Sequence, residues 1–310
     1  MTKKEKKQKT KKQSKKQSKK QSKKQSITKK NKTKKRLKCA PGRDHKFTCY
    51  NSTALHELKN AWNEKYPDKR INSNTPYEIW SYFHNHFNSM CENEKCWLRQ
   101  SFMQNKLSSS LKKYTFAPDS PDSWESNPKE WLSSDEILEV MKQYEHTHPE
   151  FVFLGPSPID FEKKTLFNDC IWEDLCKFDL RHYIDKGKTK IGIIFNLDPA
   201  DKDGSHWVAT FIDTKRKGIY YYDSNGIQAP NRIKKFLHKV KEQGKHKHVG
   251  IKFKIEQNTK EHQMKDGECG MFTMYFIINM LKKQSFKQFK KKFKGGGDEY
   301  MNKLRDVLFN

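Results

Sequence analysis

The chain has 310 residues, of which 33% are hydrophobic and 33% charged, with a formal net charge of +27. Residues 1–38 hold twenty Lys or Arg against one acid, Glu5, so most of that charge sits in one segment and the remainder can bury an ordinary core. No stretch approaches the roughly 18 consecutive apolar residues of a membrane helix, and no apolar segment follows the lysines, so neither a membrane-spanning nor a secreted protein is expected.

Within the basic segment, Lys-Lys-Gln-Ser repeats from Lys11 to Ser26 with no apolar period, which predicts a disordered tail. Its charge suits non-specific contact with nucleic acid through residues 1–38, and equally a solubilising or nuclear-targeting role. Residues 39–124 read as a helical arm. Thr53 is a candidate N-cap ahead of Leu55, Leu58 and Trp62, and Thr75-Pro76 opens a second helix with Ile79, Trp80 and Phe83 on one face. A third apolar stretch runs from Cys96 to Met103, and residues 117–128 form a Pro/Ser/Asp-rich linker. The seven cysteines, an odd number without a secretion signal, are expected as reduced thiols. Cys39, Cys49, Cys91 and Cys96 have the chemistry of a zinc set. Their gaps of ten and five positions depart from the usual two to four, so no metal is assigned.

From Trp131 the pattern changes. Ser134-Asp135-Glu136 caps a helix carrying Ile137, Leu138, Met141 and Tyr144, and a short strand over 151–154 stops at Gly155-Pro156. Cys170 and Cys176 flank Trp172 on a predicted helix. Strands are predicted over 191–197, 206–213, 218–223 and 249–255, and an amphipathic helix over 231–243. Residues 271–281 are apolar all round, as a buried central helix would be. The fold class is therefore α+β around one core, a central mixed sheet flanked by helices, with residues 125–310 as the second domain.

Three places in this half carry chemistry. His206 opens an apolar strand in Gly204-Ser205-His206-Trp207, and Asp223 ends the next strand in Tyr222-Asp223-Ser224-Asn225-Gly226. Gln263 precedes Cys269 by six positions, in Gly267-Glu268-Cys269-Gly270. A thiol at the start of the buried helix meets the helix's positive end, which favours thiolate. A histidine and an acid at the same end of a hairpin supply a base and the group that holds its tautomer. Gln263 and the Cys269 amide are candidate donors to an oxyanion. Taken singly, each has a plain explanation: strand packing, a strand-ending turn, a core thiol.

In this order and spacing they resemble the ubiquitin-like-protein protease family, which includes the SUMO proteases and the adenovirus protease. Its pattern is His-Trp, then Asp-Ser, then Gln-x5-Cys-Gly. Trp131-Leu132-Ser133-Ser134-Asp135 is similar to the family's opening Trp-Leu segment, so the resemblance makes Trp131 and Trp207 walls of a narrow tunnel that admits glycine beside the scissile bond. The segment 151–161 resembles one shared by proteases of large nucleocytoplasmic DNA viruses, such as that of African swine fever virus, which also carry a helical arm. Met264-Lys265 after Gln263 departs from the Pro-Asn of cellular members. The resemblance implies a cysteine endopeptidase with catalytic His206, Asp223, Gln263 and Cys269 and no cofactor. The implied substrates are viral structural precursors cut after Gly-Gly-X-like sequences, in a giant-virus virion or a viral factory in the host cytoplasm. Three rivals stand beside it: a deconjugase of host ubiquitin or SUMO conjugates, an acetyltransferase reusing the triad, and a non-catalytic nucleic-acid-binding virion protein.

Overall fold

The computed structural model describes residues 37–310 except 107 and 294, so residues 1–36 of the tail expected over 1–38 lie outside the described residues. The arm contains α1 (Ser52–Lys65), α2 (Pro76–Phe87) and α3 (Ser109–Tyr114), with 3-10 turns between α2 and α3. Asn51, not Thr53, caps α1, its Oδ1 accepting from the Ala54 N–H at 2.8 Å. Asn, Ser and Thr stand in a row there and all three suit the position, so the sequence locates the cap only to within two residues. Thr75 and Pro76 open α2 as expected. These short elements close around Trp62, Phe83, Phe87, Trp97 and Phe102, an apolar cluster drawn from residues 49–116.

Beyond the arm come α4 (Ser134–Thr147), β1 (Phe151–Phe153), β2 (Ser157–Pro158), α5 (Glu173–Cys176) and α6 (Leu180–Asp185). They are followed by β3 (Lys190–Asn196), β4 (Trp207–Asp213), β5 (Gly218–Tyr222), α7 (Asn231–Lys245) and β6 (Lys254–Gln257). The chain continues through α8 (Cys269–Leu281), α9 (Phe286–Phe289) and α10 (Asp298–Leu308). The cap of α4 is Ser133, one residue earlier than the sequence suggested, in a capping box with Glu136. The last strand forms at Lys254–Gln257 rather than over 249–255, because only there does the backbone run beside β5, from the pair Gly218↔Lys254 onward.

The strands make one mixed sheet in the order β1-β3-β4-β5-β6, with β2 also paired to β3. β3, β4 and β5 are an antiparallel meander, and α7 carries the chain across to the parallel β6. β4 and β5 are buried at every residue, which requires cover on both faces. Ile191, Phe195, Ile212 and Tyr221 meet Phe236 and Leu237 of α7 on one face. Ile194, Ala209, Phe211 and Tyr222 meet α8 and α4 on the other. The single core expected from sequence is thus two apolar layers split by a sheet. All thirteen residues of α8 are buried, and each large apolar side chain so covered contributes roughly 1.5–3 kcal/mol.

Polar bonds join arm to body. Gln143 Nε2 on α4 donates to the carbonyls of Lys113 and Phe116 at 2.9 and 2.8 Å, and Asn310 Nδ2 donates to the Ala117 carbonyl at 2.7 Å. The cysteines correct the expectation of reduced thiols: Cys39–Cys49, Cys91–Cys96 and Cys170–Cys176 are disulfides, and Cys269 is free. The fold brings each pair within 5.0–6.2 Å between Cα atoms, the separation a disulfide needs. The sulfurs weighed as zinc ligands are therefore spent on one another. Among the described residues, no helix is long and apolar enough to cross a membrane.

Candidate active site

β4 begins just after His206 and β5 ends just before Asp223, and the register Ala209↔Tyr222 places those two strand ends side by side. His206 Nε2 lies 2.8 Å from Asp223 Oδ1. A carboxylate only accepts, so Nε2 carries the proton and donates it, leaving Nδ1 as the nitrogen for another partner. Cys269, the first residue of α8, is the second group whose nearness raises the proton affinity of the ring. Burial pulls the imidazole pKa down. The hydrogen bond with Asp223, together with the nearness of Asp223 and Cys269, outweighs it and raises the value from 6.5 to about 9. At neutral pH the ring is a cation held between a carboxylate and a sulfur.

Asp223 is itself held. Its Oδ1 accepts from the Asn225 N–H at 2.8 Å, its own N–H donates to Asn258 Oδ1 at 3.0 Å, and Asn258 Nδ2 donates to its carbonyl at 2.6 Å. The next residue, Ser224, is fully buried and donates its hydroxyl to Gln263 Oε1 at 2.7 Å. The Gln263 N–H donates back to the Ser224 carbonyl at 3.1 Å. Gln263 is thereby fixed beside the triad, with Nε2 donating to the Lys265 carbonyl at 2.8 Å and its second amide hydrogen left over.

Cys269 is 2% exposed. The residue before it, Glu268, occupies the N-cap of α8 without making a side-chain cap bond. Its carboxylate turns instead to Arg305 of α10, accepting from Nε at 3.0 Å. Arg305 Nη2 donates to the Glu130 carbonyl at 2.7 Å, and the guanidinium lies 4.6 Å over the Trp124 ring. Burial raises the Glu268 pKa against the pull of Arg305. Gly267 has φ +106, and a Cβ there would stand 3.1 Å from the Lys129 carbonyl with the Trp131 indole just beyond. A glycine is needed at this position on both counts.

Trp131 is 48% exposed and Trp207 is buried, its Nε1 donating to the Leu132 carbonyl at 3.0 Å. Both line one cleft of about 710 Å³ together with His206. The expected residues therefore fall into one place: His206, Asp223 and Cys269 as a connected set, Gln263 beside it, Trp131 and Trp207 at the cleft. Sequence reasoning missed Ser224, Asn258, Glu268 and Arg305. Glu268 had a signal, a charged residue where a serine or aspartate cap belongs, directly ahead of an apolar helix. Asn258 and Arg305 had none, because their partners lie 35 and 37 positions away.

Residues 186–306 match the family described as the Ulp1 protease family, C-terminal catalytic domain. The chain is 29% identical over 269 residues to a protein of Acanthamoeba polyphaga mimivirus named as a thiol protease, covering 80% of this chain and 85% of that one. It is 27% identical over 186 residues to the SUMO-1 cysteine protease of African swine fever virus, covering 57% and 67%. The crystal structure of the African swine fever virus protease has a similar fold, with a TM-score of 0.58 at 20% identity, over 88% of this chain and 96% of that one.

Proposed function

We propose that this chain, a cysteine peptidase of the Ulp1 family, cuts protein precursors of a virion after Gly-Gly-X-like sequences. The observation that carries the reading is the set in which Asp223 holds His206 at 2.8 Å and Cys269, at the start of α8, joins Asp223 in raising the proton affinity of the ring. The Cys269 thiolate attacks the carbonyl carbon that follows glycine, and the oxyanion is met by the Cys269 amide and the remaining hydrogen of Gln263 Nε2. The His206 imidazolium gives its proton to the leaving amine as the C–N bond breaks, leaving a thioester. The ring, now neutral, takes a proton from water, which attacks the thioester and releases the acid and the thiolate. Glycine is favoured because Trp131 and Trp207 crowd the approach to a nearly covered sulfur. The reaction needs no cofactor.

Residues 39–124 are proposed to act as an arm and 125–310 as the protease domain. The basic residues 1–38 are proposed to hold the enzyme near nucleic acid in the virion or viral factory. A second reading, removal of ubiquitin-like modifiers from conjugates, is favoured by the name of the African swine fever virus relative. A Gly-Gly-X peptide panel beside SUMO and ubiquitin C-terminal probes separates the two. We expect peptide cleavage that falls by about a thousandfold or more in Cys269→Ala. Equal cleavage by both proteins, or none by the wild type, removes the proposal.

A further inference from the structure

Between Phe161 and Trp172 the chain makes a small hairpin whose tip carries two large apolar side chains in the open. Leu166 is fully exposed and Phe167 is 88% exposed. The rest of the hairpin is firmly built. The Ile171 N–H donates to the Lys163 carbonyl at 3.0 Å, the Thr165 N–H to the Asp169 carbonyl at 2.8 Å, and the Trp172 N–H to the Phe161 carbonyl at 3.1 Å. Inside the turn, the Asn168 N–H donates to the Thr165 carbonyl at 3.0 Å while Asn168 takes φ +64, a conformation Asn tolerates. Below, the Cys170–Cys176 disulfide ties one limb to α5, and Trp172 Nε1 donates to the Leu154 carbonyl at 2.9 Å. The tip is thus an apolar pair held out on a braced support.

The position of the base decides what such a tip meets. Ile171 and Trp172 line the same cleft as Trp131, His206 and Trp207. Phe167 stands four residues from Ile171, within about 13 Å along an extended limb. A polypeptide threaded through the cleft therefore has its next stretch within reach of the tip. Aromatic and aliphatic anchors presented on a rigid frame are the side chains that dominate protein contacts, because little ordering entropy remains to be lost on binding.

Building on the protease reading above, we infer that the Leu166–Phe167 tip is a docking anchor for the protein substrate itself, gripping the part of it that lies outside the cleft. Continuity with the cleft selects this occupant over a second copy of the chain. Short peptides that fill only the cleft do not touch the tip, so it raises activity on proteins alone.

The test uses the full chain and a Leu166→Ser/Phe167→Ser variant on two probes: a set of short peptide coumarin amides ending in Gly-Gly-X, and a native cell lysate in which new N-termini are labelled and counted by mass spectrometry. The variant is expected to cleave the peptides as the wild type does and the lysate proteins about tenfold or more slowly, with Phe167→Trp in between. Peptide cleavage by neither protein overturns the protease reading itself. If both cleave the peptides, equal rates on lysate proteins overturn the docking inference alone, as does a wild type that cuts no lysate protein. A tip whose removal only dissociates a dimer in sedimentation, leaving protein cleavage intact, overturns it too.

Discussion

The arm gathers its rings around Trp62 and Phe83, each meeting several others edge-on or stacked at 5–6 Å, while the body spreads its aromatics along the two faces of a sheet. The arm's cluster needs only shape, and short helices and 3-10 turns suffice to close it. In the body, strand register fixes where each side chain points, and that is how an imidazole and a carboxylate seventeen residues apart come to 2.8 Å. Interlocked rings stabilise without aiming anything, whereas a hydrogen-bonded ladder aims. The cleft reflects this difference, since its lining begins at Trp131 and takes nothing from the arm's cluster.

The largest effect expected from this contrast comes from the aimed side. Asp223→Asn should lower peptide kcat/KM by about 10²–10⁴-fold with little change in thermal midpoint, because the negative charge that holds the His206 imidazolium is lost while the side chain's volume remains. The pH profile sharpens the point. His206 has a folded pKa of about 9 against an ordinary 6.5, so its proton is in place at neutral pH and is lost as pH rises through about 9. The wild-type alkaline limb should therefore fall near pH 9. The stability that the charged ring contributes is complete below about pH 6.5 and gone above about 9, as urea midpoints across that window would report. In Asp223→Asn the main opposing force is removed and burial takes over, so the limb should move to lower pH. A limb that stays near 9 would show that another group sets it.

Next in size is a cut into the packed side. Phe83→Ala removes a fully buried ring and should cost about 3–5 kcal/mol in urea unfolding, with kcat/KM per folded molecule unchanged. Reduced kcat/KM in that variant would mean that the arm does aim something. The smallest effect lies on the seam. Gln143→Ala strands the buried carbonyl of Phe116 and releases that of the exposed Lys113, and should cost about 1–3 kcal/mol. Hydrogen exchange should show the loss in α1 and α2 before β4, and equal losses in both would make arm and body one cooperative unit.

Much of the site was legible in the sequence because its parts are local signals. A histidine at a strand mouth, an acid at a strand end and a cysteine ahead of an apolar run each announce themselves within a few residues. Capping was legible to within a residue at Ser133 and within two at Asn51, since several neighbouring side chains share the same chemistry. The lysine repeat reads clearly as composition but lies outside the described residues. The pairing of Cys39 with Cys49, the shift of β6 to Lys254–Gln257 and the reach of Arg305 to Glu268 depend on which distant segments become neighbours, and no local pattern encodes that. Even the expectation that Gln263 belongs to the site gave no hint that Ser224 would hold it.

The Cys269 sulfur begins a helix and the His206 ring sits at the mouth of a strand, so the pair proposed to react straddles the boundary between two layers of the molecule. Sliding α8 along β4 changes the separation of sulfur and ring nitrogen directly, before any backbone hydrogen bond in either layer has to break. Chemical competence is in this sense a gauge of how the layers are stacked. Arg305, fastening the head of α8 to the chain ahead of Trp131, acts as the pin that keeps the gauge at its setting.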